Sequence, residues 1–207
     1  MSKPDIFVHQ GDLPSGLDFG GSIAVDSETL GLNPHRDRLC VVQLSAGDNT
    51  AHLIQFADQN YEASNLKSIL ADPQTEKIFH FARFDVAVFK KYLAVETTPV
   101  FCTKIASKLA RTYTNRHGLK DLTSELLGIE LSKKQQSSDW AAAELSKEQK
   151  LYAAADVLYL HALRDRLAEM LDREQRTHYA QAAFRFLPTQ ADLDLAGFSD
   201  MDLFSHA

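Results

Sequence analysis

Only two cysteines occur in the 207 residues, Cys40 and Cys102. Both sit in apolar runs, so they read as small buried hydrophobes in a reducing compartment rather than as a staple. A cytoplasmic location is the expectation. No apolar run approaches the ~20 residues that a membrane helix needs, so no membrane partner is expected. The opening, Met1 to Gln10, lacks the apolar core of a secretory signal. Positive charge is short as well: 22 Lys and Arg face 28 Asp and Glu, for a net charge of −6. Proteins that track along long nucleic acids present a broad basic face, and this composition argues against one. Also missing are a P-loop, a G-x-G-x-x-G turn and an H-E-x-x-H pair. The eight histidines are scattered, and no Cys/His spacing suggests zinc. Asp18-Phe-Gly20 and His35-Arg-Asp37 imitate kinase triplets, but in reverse order and without a glycine-rich loop, which excludes that reading.

What is present suits one ordinary domain with a sizeable core. The first half reads as strands: Ser22–Asp26, Leu39–Leu44, Ala51–Phe56 and Lys77–Phe81. Turn signals at Gly31–Pro34 and Gly47–Asn49 make the first three an antiparallel meander. Leu66–Leu70 is helical in pattern, closed by Asp72-Pro73. The second half is helical: Asp85–Tyr92, the spacing of Ile105, Leu109 and Ala110, then Leu119–Leu127 with Gly128 as its stop. A long pattern begins at Ser146, where Ser146 and Gln149 have capping-box spacing, and runs, interrupted or not, to Pro188. The last twenty residues read as a tail ordered only by packing on a partner. Strands followed by helices predict an α/β domain on a mixed sheet.

The chemistry lies in acids. Asp26 and Glu28 end a strand two residues apart, so alternation puts both on one face. An isolated Asp-x-Glu is usually a solvated pair, but the apolar Ile23-Ala-Val25 before it places this one at the edge of a core. Asp85 follows a strand at a helix start, where an acid also serves simply to stabilise the helix dipole. Tyr152 and Asp156 are four apart on a helix and share a face, with three alanines between them that permit close packing. A mid-helix carboxylate among apolar residues is expensive to bury, and a cation is one compensation. Four acids from a strand end and two helices have the donor set for two hard divalent cations, Mg²⁺ or Mn²⁺. Such a pair, about 4 Å apart, clamps the attacking and leaving oxygens of a phosphoryl transfer.

Three segments carry a resemblance: Val25–Thr29, His80–Asp85 and Tyr152–Asp156. Supporting stretches are Gly118–Leu122, Gln136–Trp140 and Leu145–Gln149. In that order, over about residues 5 to 170, the chain resembles the RNase D-like, tyrosine-bearing branch of the DEDD 3′–5′ exonucleases. The resemblance implies an RNase H-like (DnaQ-like) mixed β-sheet flanked by helices. It implies a domain over 1–172, followed by a helix and tail over 173–207 that make oligomer contacts. Asp26 would bridge both cations, Glu28 and Asp156 would complete one site, and Asp85 would serve the other through water. Tyr152 would position the nucleophile. RNase D continues into helical accessory domains, and 207 residues leave no room for them. The compact form is similar to the nano-RNase C group, associated with dinucleotides and very short RNA, release of 5′-monophosphates, and ring-like homo-oligomers, here an octamer.

Substrate contacts are expected around the acids. Leu30 and Leu32 can wedge a base, Phe81 and Phe84 can stack on one, and His80 adjoins them; core or loop packing is the competing role. Residues 101 to 120 hold five Lys or Arg and no acid. From them Arg111, Arg116 and Lys120, with His117, are candidates for a terminal phosphate, against the alternative of an exposed basic face. Trp140 reads as structural support. The apolar side chains Phe184, Phe186, Leu187, Leu193, Leu195, Phe198 and Leu203 are expected to bury against neighbouring subunits. Two rival functions remain: a general RNase D-like exonuclease on longer RNA, and an idle nucleic-acid-binding module.

Overall fold

The computed structural model describes residues 3–131 and 138–206. Six strands form one mixed sheet: β1 (Asp5–Gln10), β2 (Ser22–Thr29), β3 (Leu39–Ser45), β4 (Thr50–Gln55), β5 (Glu76–Phe79) and β6 (Val100–Cys102). Their order is β1-β4-β3-β2-β5-β6. The meander β2-β3-β4 is antiparallel, as the spacing of its turns predicts. The other pairings, β1 with β4 and β2 with β5 with β6, are parallel. This puts β2 and β3 at the centre, and β3 is buried along its whole length. Two strands lie outside the sequence reading. β1 is a largely exposed edge strand without clean alternation, and β6 has only three residues. Both depend on non-local parallel pairing, which leaves no local signature.

Helices α1 (Ser64–Ala71), α2 (Ala82–Leu93), α3 (Thr103–Ala110) and α4 (Leu119–Leu127) match the apolar periodicities, and Gly128 closes α4 with a left-handed residue. The long pattern from Ser146 divides into α5 (Lys147–Leu158), α6 (Leu160–Arg173) and α7 (Thr177–Leu193). Pro188 does not end it: α7 runs through the proline, which forfeits one backbone hydrogen bond there. The expected tail is structured as far as Phe198, while residues 199–206 are exposed. A π-turn over Asp194–Phe198 follows α7, and Arg83 grips Asp194 through two hydrogen bonds of 2.7 Å.

One apolar core joins the sheet to α1–α7. Phe184 and Leu187, expected at a subunit contact, belong to it together with Ala180 and Ala191, the buried stripe of α7. Leu193 is part-buried and Leu195 packs against the same core. A second cluster, of Cys40, Val41, Leu53, Trp140, Leu145 and Ala153, fastens α5 across β2, β3 and β4. The start of α5 is held firmly. Ser146 and Gln149 form the full capping box, and the Gln149 side chain also donates to the Asp139 carbonyl at 3.0 Å. Both free cysteines are buried.

Candidate active site

β2 emerges from the core with Asp26 and Glu28 on one face, and its register slips between Glu28 and Thr29. This bulge bends the strand end where the two carboxylates leave the sheet. α5 brings Asp156 over them. Ala153 and Ala154, fully buried beneath, let the helix approach closely. Carboxyl oxygens of Asp26, Glu28 and Asp156 come within 4.8 Å of one another. Asp85 arrives from the first turn of α2 and is 3% exposed. Phe81 turns the chain from β5 into that helix. Its φ of 72° is in the left-handed region, a costly conformation for an aromatic residue and one that concentrates at functional sites.

Uncharged donors hold the aspartates. Ser27 Oγ donates to Asp85 Oδ1 at 2.6 Å, and Gln43 Nε2, directly across the ladder from Asp26, donates to Asp26 Oδ2 at 3.2 Å. The Tyr152 phenol sits beside Asp156 and favours its charge. All four acids are pushed up from the ordinary carboxylate range, chiefly by burial. Asp26 rises to about 7 and Glu28 to about 10, the latter also through the charges of Asp26, Asp156 and Asp85. Asp85 and Asp156 rise well above their usual value, through burial and then the charge of Asp26. Burial likewise lifts the Tyr152 phenol above its ordinary value, so it stays protonated and acts as a hydrogen-bonding group rather than a base.

The donor set fits divalent cations. Four carboxyls share one site with no Lys or Arg among the causes that favour their charge. Beside them the buried Gln43 Oε1 lacks a hydrogen-bond partner among the described residues. Hard oxygen ligands and uncompensated negative charge call for a hard cation with its own water.

The acids line a cleft of about 720 Å³. Leu30, Leu32, His80, Phe81, Phe84, Lys120 and Tyr152 line it too. Leu32 is 87% exposed and has no packing role to explain it. Thr103 fixes His80: its hydroxyl donates to the Phe79 carbonyl at 3.0 Å and lies 2.9 Å from His80 Nδ1. Burial and the nearby Lys104 lower His80 to about 3, so the ring is neutral.

Three of the basic candidates are absent from the cleft lining. Arg111 is 0% exposed, bound to Glu125, Ser107, Tyr113 and the Arg116 carbonyl. Arg116 is committed to Asp121 and His117 to Ser107. A pairing between α3 and α4 consumes the charge that the local sequence leaves open. Lys104, another of the five basic residues between 101 and 120, does reach the cleft. It lines the cleft with its ammonium 4.3 Å from the Phe81 ring centre. Ser27 and Gln43 were missed, although strand register places Gln43 opposite Asp26. Trp140 lines the cleft and packs beneath Tyr152. Gln136 and Ser137, from a supporting stretch of the resemblance, lie outside the described residues.

Carboxylates gathered at the end of a central strand of such a sheet define an RNase H-like, metal-dependent nuclease. The family model for 3′–5′ exonucleases matches residues 12–172. The chain belongs to that 3′–5′ exonuclease family. Ribonuclease D of Acidiphilium cryptum is 33% identical over 154 residues, covering 74% of this chain and 39% of that protein. The chain thus spans under half the length of the curated ribonucleases D it matches. Two structures of Brucella melitensis NrnC correspond from end to end. NrnC bound to pGG is 54% identical with a TM-score of 0.95, covering 99% of this chain and 100% of that one. NrnC with bound Mg²⁺ is 53% identical with a TM-score of 0.94, covering 98% and 100%.

Proposed function

We propose that the chain is a two-cation 3′–5′ exoribonuclease that degrades dinucleotides and other very short RNAs to 5′-monophosphates. The end-to-end correspondence with a nuclease solved with pGG carries this reading, because it extends through the cleft residues and leaves no large part of either chain unmatched. Asp26, Glu28 and Asp156 would hold one Mg²⁺ or Mn²⁺, and Asp85 with Asp26 the other. Bound cations supply Lewis acidity to the scissile phosphate and lower the pKa of the attacking water. The chain's own groups do the rest. Tyr152, a neutral phenol beside Asp156, orients the nucleophile. Leu30 and Leu32 wedge a base, and the exposed Phe81 ring offers a stacking face. Among the described residues lining the cleft, Lys104 and Lys120 are the cations available to a phosphate.

A short substrate suits two cleft cations in a chain of net charge −6. The identity with ribonuclease D favours a second reading, exonuclease action on longer RNA. An idle module is disfavoured by the intact acids and tyrosine. Rates on labelled RNAs of graded length separate these: a sharp preference for the dinucleotide supports the first reading, and similar rates on dinucleotide and a long RNA reject it. We include a homo-oligomer, a ring-like octamer, in the proposal, with contacts in 173–207. Phe186, Phe198, Met201, Leu203 and Phe204 stay exposed on the single chain. A sedimentation mass of one chain would reject it. No helix among the described residues is long and apolar enough to cross a membrane. The two buried free thiols support a reducing, cytoplasmic setting.

A further inference from the structure

We infer that Ser27, the residue between the two carboxylates of β2, is a positioning residue that fixes the orientation of Asp85 and so sustains the cation site that Asp85 serves. The inference rests on the two-cation reading above. Asp26 and Glu28 share one face of β2, and alternation turns Ser27 to the other, toward the start of α2. There its hydroxyl meets Asp85 Oδ1 at 2.6 Å, with both residues buried. The serine donates its single proton to that oxygen.

The other three acids are arranged differently. Asp26, Glu28 and Asp156 bring ligand oxygens within 4.8 Å of one another, and Asp85 is not in that group. The Ser27 hydroxyl therefore fixes how the Asp85 carboxyl is turned. A hydrogen-bonded carboxyl oxygen keeps a lone pair for a cation, so Asp85 would remain a ligand, while the cation among the other three would meet three carboxyls already gathered. The site on the Asp85 side is the weaker, and it depends on the serine hydroxyl to keep the carboxylate oriented.

Calorimetric titration of the full chain with Mn²⁺ alone, at one fixed pH and without substrate, tests this. The wild type should show two binding events of unequal affinity. Ser27→Ala should weaken the weaker event roughly tenfold or more, the usual cost of losing a partner that orients a metal ligand, and leave the tighter event unchanged. Ser27→Thr, which keeps the hydroxyl, should restore both. Hydrolysis by Ser27→Ala should recover at saturating Mn²⁺, since its defect is in affinity. If circular dichroism shows Ser27→Ala unfolded, Ser27→Cys, similar in size but a weak donor, is read in the same way. Both events unchanged, or both weakened equally, overturns the inference while the two-cation reading stands. A wild type that binds no Mn²⁺ sinks that reading and the inference with it.

Discussion

Stripped of cations, the acid cluster should cost the fold more stability as the pH rises, and a divalent cation should reverse that cost. At the 4.8 Å that bounds the oxygens of Asp26, Glu28 and Asp156, two like charges repel by about 3.5 kcal/mol at an effective dielectric constant of ~20. Burial moves Asp26 from 3.8 to about 7, and the neighbouring charges add to the burial of Glu28. Ionising Asp26 in the fold therefore costs about 4 kcal/mol more than in the unfolded chain. Its folded value lies above the unfolded one, so below pH ~4 both states keep the proton and nothing is lost. As pH rises between the two values the unfolded chain releases its proton first, and stability falls until the folded value is passed. Glu28, raised to about 10, extends the decline into the alkaline range. For a chain of this size about 4 kcal/mol corresponds to roughly 10 °C in Tm. Differential scanning calorimetry of EDTA-treated protein from about pH 5 to 9, with and without Mg²⁺, measures it. The increment due to Mg²⁺ should grow across that range; the metal-free Tm also carries the opposite contribution of His80, whose lowered value adds stability up to about pH 6.5. Calorimetry in buffers of differing ionisation enthalpy should also detect protons released on binding. An increment independent of pH would refute the account of these carboxyls.

Three substitutions probe other parts of the site. Tyr152→Phe should lower kcat on the order of a hundredfold through loss of nucleophile positioning, with KM and calorimetric Mn²⁺ affinity unchanged; a large loss of Mn²⁺ binding would instead make the phenol a support for Asp156. Leu32→Ala, at a fully solvated position, should raise KM for a dinucleotide and leave Tm alone, and an unaltered KM would remove Leu32 from the substrate. Trp140→Ala should cost about 3–5 kcal/mol in urea unfolding and depress activity by loosening α5; a stability change near zero would show that α5 is held elsewhere.

The parts of the site that were legible in the sequence are those set by short-range periodicity. Alternation along β2 pairs Asp26 with Glu28, and four-residue spacing on α5 pairs Tyr152 with Asp156. The apolar runs around each showed that these acids border a core. Asp85 was legible only as an acid at a helix start, since its burial and its bond to Ser27 come from a residue 58 positions away. Arg111 shows the opposite failure. Its neighbourhood from 101 to 120 has no acid, but Glu125, beyond that window, takes its charge. The Phe184 and Leu187 spacing was legible as an apolar stripe, yet not what it packs against. Spacing defines a face, and only the tertiary fold supplies its partner. Parallel β1 and β6 carried too little local pattern to be read.

The most direct test of the central claim is hydrolysis of a labelled dinucleotide by the wild type and by Asp85→Ala, each with Mn²⁺ and with EDTA. The account expects 5′-monophosphate to accumulate only with wild type and cation. Turnover that persists in EDTA, or Asp85→Ala hydrolysing as fast as wild type, would contradict it.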